Sequence, residues 1–86
     1  MTLDELRVEI DAIDDEIAPL LARRMAVALQ VAEAKRQTGA PVFQKAREEA
    51  ILARLGKGMD PHYQPALHVI YEAIFRVSRE LQEGLI

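Results

Sequence analysis

At 86 residues, with 50% hydrophobic content and a net charge of −3, the chain is expected to form one domain spanning 1–86, near the size where a single core gives only modest stability. The absence of cysteine excludes a disulfide staple or thiolate zinc site, leaving association with another chain as the route to extra stability. Interspersed charges and few aromatics speak against nucleic acid, and no apolar run approaches the roughly 20 residues of a membrane span.

The start, MTLDELRVEI, is charged and amphipathic and has no signal-peptide core, so the expected location is the cytoplasm. Thr2 followed by Glu5 fits a capping box, with Met1 and Leu6 placed as a hydrophobic staple. Leu3, Leu6, Ile10, Ile13, Ile17 and Leu20 then recur at spacings of three and four, a seam that packs on another helix. No stop appears before Gly39 and Pro41, and Lys35 and Arg36 suit the last turn. Pro19 interrupts the pattern, but DEIAPLLARR offers no Gly, Asn or Ser for a turn. One helix over 3–38, kinked at Pro19, is therefore favoured over two short ones.

A second, shorter helix is expected from about Gln44 to Leu55, with Ile51, Leu52 and Leu55 on one face and Gly56 and Gly58 as the stop. A third of intermediate length begins near Asp60-Pro61, with Pro65 blurring the start by a few residues. Its stripe is Leu67, Ile70, Tyr71, Ile74, Val77 and Leu81, ending near Gln82 before Gly84. The fold class is all-α. A helix over 3–38 is about 54 Å long, whereas a compact chain of this size has a diameter of roughly 30 Å. The overhang carries the apolar seam, and the same helix of a second copy, running antiparallel, is the simplest cover. A homodimer is expected.

Several polar residues stand in apolar places. The seam beyond Leu20 predicts apolar side chains at 24, 27 and 31; Val27 and Val31 comply, but position 24 is Arg. Lys35 continues the same strip, rotated about 20° from Arg24 and roughly 16 Å along the axis. Arg7 is about 42 Å from Lys35, too far to share a small ligand within one helix, yet an antiparallel partner brings it near the middle of the other copy. An arginine beside a seam usually packs its stem and keeps its head in water; that reading of Arg24 stands beside a ligand-binding one. Ser78 and Gln82 are polar, four apart, and border the third helix's stripe. Arg47 and Glu48 open the second helix, where Glu48 also suits the helix dipole and Arg47 a neighbouring anion. Together these residues point to a small acidic ligand. His62 and His68, six apart, do not form a helical metal pair, and no metal or cofactor is expected. Met25, Met59, Phe43, Tyr63, Tyr71 and Phe75 read as packing residues, and Asp14, Asp15 and Glu16 as a solvated face.

The segments LRVEIDAIDDEIAPLLARRM, VAEAK, REEAILARL after a G-x-P turn, and VSRELQ resemble, in order and spacing, the all-α class of chorismate mutases over nearly the whole length. The resemblance implies an intertwined helical homodimer. It implies that Arg7 crosses into the partner's site and that Arg24 and Lys35 are the long helix's ligand cations. Arg47 and Glu48 match the pair opening the second helix, and Ser78 and Gln82 the polar pair on the third. Gln44 stands where many relatives carry Asp, and its backbone N–H is the group expected to serve there.

The implied reaction is the Claisen rearrangement of the dianion chorismate to prephenate, in aromatic amino-acid synthesis. It needs no nucleophile or general base, only orientation and charge stabilisation. Arg7, Arg24 and Arg47 would clamp carboxylates, Lys35 and Gln82 would donate to the ether oxygen, Glu48 would accept from the ring hydroxyl, and Ser78 would contact a carboxylate. The alternatives are an isochorismate pyruvate lyase of the same fold, or a non-catalytic regulatory or oligomerising module. Relatives also occur fused to, or paired with, other enzymes of aromatic amino-acid synthesis.

Overall fold

The computed structural model describes residues 1–86 as three helices: α1 (Leu3–Thr38), α2 (Lys45–Gly56) and α3 (Gln64–Gln82). At the start of α1 the Glu5 backbone N–H donates to Thr2 Oγ1 at 3.1 Å, the first half of a capping box. The second half differs: the Glu5 carboxylate takes the Thr2 hydroxyl proton rather than the Thr2 backbone N–H. Helix α1 then runs unbroken through Pro19, an exposed position. It ends at Gly39, whose φ of 75° is left-handed and whose N–H reaches Lys35 O; Ala40 N–H donates to the same carbonyl.

Gln44 is the N-cap residue of α2, but its side chain does not cap. Its amide instead turns back to Pro41 O at 3.4 Å, while its carbonyl accepts from the Arg47 and Glu48 N–H groups. The third helix, expected near Asp60-Pro61 with a slip of a few residues, starts at Gln64. Asp60 does cap, but what it caps is a separate turn: Oδ1 accepts from His62 N–H and the carbonyl from Tyr63 N–H. Pro65 then takes the first-turn position that suits proline.

Helix α3 packs against both α1 and α2, whereas α1 and α2 do not pack on each other. The four buried residues are Ala28 and Ala32 of α1, Ile51 of α2 and Phe75 of α3, so the core lies where α3 crosses the C-terminal half of α1. The two alanines, one turn apart, present side chains short enough for a close helix approach. Met25, Phe43 and Tyr63, expected to pack, are instead exposed in the isolated chain, although the Phe43 ring lies against Arg79. The molecule measures 53 × 26 × 18 Å with a radius of gyration of 15.8 Å, against about 12 Å for a compact chain of this length. The N-terminal half of α1 projects from the core, with Leu3, Leu6, Ile10, Ile13, Ile17 and Leu20 all exposed.

Candidate active site

The gap between α1 and α2, floored by α3, is a cavity of about 410 Å³, within the range of small-molecule sites. Its walls are apolar where Val27, Ala28, Val31, Ile51 and Phe75 meet. Four cations (Arg24, Lys35, Arg47, Arg79) and one carboxylate (Glu48) also line it. The lining is thus net positive in a chain whose net charge is −3, a contrast that favours an anionic ligand.

Each polar group is held by the element it comes from. Arg24 projects from α1 toward α3, its guanidinium carbon 6.0 Å from the Tyr71 ring centroid and 5.9 Å from that of Phe75. The aromatic faces hold it without neutralising it. Lys35 Nζ donates to Val42 O at 2.7 Å and to Gln82 Oε1 at 2.9 Å. Because an ammonium only donates, that bond fixes the Gln82 amide with Oε1 toward Lys35 and Nε2 toward Ser78. Nε2 indeed donates to Ser78 Oγ at 3.1 Å. Each member of this chain keeps one free proton: the third on Lys35, the second on Gln82 Nε2, and the Ser78 hydroxyl. Arg47 is exposed at the cavity rim. Neither Arg47 nor Arg24 has an anionic partner within the chain.

Residues 6–83 match the family model for chorismate mutase type II. The chain belongs to this family. A chorismate mutase of Methanocaldococcus jannaschii is 42% identical over 60 residues, covering 70% of this chain and 61% of that protein. A bifunctional chorismate mutase/prephenate dehydratase of Enterobacter agglomerans is 37% identical over 87 residues, 93% of this chain but 22% of that protein. The match therefore spans under two thirds of each of these relatives. Among solved structures, the crystal structure of chorismate mutase from Helicobacter pylori in complex with prephenate superposes with a TM-score of 0.85 at 37% identity. That superposition covers 95% of this chain and 90% of the other.

The residues singled out for a type II chorismate mutase by resemblance fall into two groups. Arg24, Lys35, Gln44, Arg47, Glu48, Ser78 and Gln82 line the one cavity. Arg7 does not: it lies on the projecting part of α1, its side chain 66% exposed and 4.0 Å from Asp4. One charged lining residue escaped the sequence reading. Arg79 of α3 pairs with Glu48 of α2, its Nη1 donating to both carboxylate oxygens. Its position four after Phe75 and three before Gln82 places it beside the right face, but VSRELQ does not show which of its polar residues turns inward.

Proposed function

We propose that this chain is a chorismate mutase acting in aromatic amino-acid biosynthesis, rearranging chorismate to prephenate without a covalent intermediate. What supports this reading most is that three cations without anionic partners, Arg24, Lys35 and Arg47, converge on a cavity otherwise walled by apolar side chains. No base or nucleophile is needed, because the bond that breaks and the bond that forms lie within one molecule. Arg24 and Arg47 bind the substrate carboxylates through guanidinium forks, and Ser78 donates its free hydroxyl proton to one of them. Folding the enolpyruvyl group over the ring is the orientational part of the catalysis. As the C–O bond stretches, charge grows on the ether oxygen. Lys35 and Gln82, pre-positioned by each other, donate their free protons there more strongly than in the ground state. Glu48 accepts from the ring hydroxyl, and Gln44 contributes through its backbone N–H.

The same reading includes a homodimer in which α1 of a second copy covers the exposed seam. If the two α1 helices run antiparallel with their Ile17 residues together, the helical rise puts Arg7 of the second copy level with about Val27. That is between Arg24 and Lys35, so Arg7 completes the site as a third carboxylate clamp. A cytoplasmic location, and association with another enzyme of the same pathway, accompany this reading.

The deciding assay follows chorismate and isochorismate separately with the purified chain. Conversion of chorismate to prephenate is expected. Pyruvate release from isochorismate without mutase turnover would make it a lyase, and inertness toward both would leave a helical binding module.

A further inference from the structure

We propose that Arg79 is a positioning residue for Glu48, one that also keeps the Glu48 carboxylate away from the ligand-binding cations; this rests on the reading of the cavity given above. Glu48 stands in the first turn of α2, and its carboxylate's hydrogen bonds come from Arg79 of α3. The pair is mostly shielded, with 30% of the Arg79 side chain and 22% of the Glu48 side chain exposed. The Arg79 guanidinium also lies 5.0 Å from the ring centroid of Phe43, in the segment joining α1 to α2. Arg79 is thus held by both an aromatic ring and the carboxylate it orients.

The need for such a holder follows from the neighbours. A glutamate with three free torsions, beside the unpartnered cations Arg24, Lys35 and Arg47, would swing toward them and compete with the carboxylates of an incoming dianion. Arg79 donates to both carboxylate oxygens from α3. The carboxylate still has lone pairs to accept one further hydrogen bond from a ligand hydroxyl. Arg79 therefore leaves the ligand cations free and fixes where Glu48 can accept, without itself touching the ligand.

The test is a double-mutant cycle on the full chain, with KM and kcat for chorismate read below the melting temperature of every variant. R79Q is expected to raise KM on the order of 10-fold, the lower end of what losing an orienting partner costs at a site, with a smaller change in kcat. R79K keeps the charge but loses the planar guanidinium that lies on Phe43, so its KM should lie between the wild type and R79Q. In an E48Q background R79Q should add nothing, because the carboxylate it restrains is gone. An unchanged KM in R79Q beside active wild type overturns the proposal and leaves the mutase reading standing. So does a loss in the E48Q background as large as in the wild type, since Arg79 would then act on the ligand directly. A wild-type chain that does not turn over chorismate overturns both. Should R79Q fail to fold, R79K in the two backgrounds gives the same decision: a raised KM only where Glu48 is present.

Discussion

Lys35 has three N–H bonds, and the chain uses two of them, on Val42 O and Gln82 Oε1. The third has a fixed direction because the other two are satisfied, which is what a preorganised donor requires. Lys35→Ala should therefore lower kcat/KM about 10²–10³-fold, the usual cost of removing one such donor. The fold should persist, since the buried residues are Ala28, Ala32, Ile51 and Phe75 and not Lys35. Steady-state kinetics beside a thermal melt checks both halves; near-native turnover in a folded variant removes Lys35 from the mechanism. At this scale the sequence was readable wherever partners are neighbours on one helix. Ser78 and Gln82, four apart, do meet. Arg79 and Glu48 stand 31 residues apart on two different helices, and no local periodicity encodes how α2 docks on α3.

For a helix, the decisive signals are its ends. Thr2 and Gly39 bound α1 as their chemistry dictates, and the absence of turn formers around Pro19 accounts for the unbroken helix between them. Helix α3 starts three residues beyond Pro61, within the slip that Pro65 introduces, because Asp60-Pro61 caps a short turn of its own and Pro65 occupies the helix's first turn. Such competing signals are resolved by tertiary packing, which the sequence does not display locally. Gly39 offers a clean test of this level. A Cβ there meets nothing within 4 Å, so only the φ of +75° penalises a side chain. Gly39→Ala should cost about 1–2 kcal/mol and lower Tm by several degrees. Gly39→Asn should cost less, because asparagine tolerates the left-handed region. Equal melting of the wild type and Gly39→Ala would show that the cap carries no stability.

For the whole molecule, shape is the informative property. With four buried residues and a 53 Å long axis, the isolated chain leaves its longest apolar stripe uncovered, as the length of α1 and the apolar spacing along it imply. Length does not reveal which polar group a second copy would bring. Arg7, alone among the eight residues picked out for the site, is absent from the cavity lining. A hybrid dimer separates action across the interface from action within one chain. In the proposed homodimer, Arg7→Ala and Arg24→Ala should each disable both sites. If Arg7 acts across the interface, a hybrid of one Arg7→Ala and one Arg24→Ala subunit places both defects in one site. Its other site combines an intact Arg24 with an intact Arg7, so the twofold relation between subunits predicts about half the wild-type turnover per dimer. If Arg7 acts within its own chain, each hybrid site keeps one defect and nothing is recovered. Differentially tagged subunits, co-expressed and purified through both tags, allow that turnover to be measured directly, and a flat result would remove Arg7 from the partner's site.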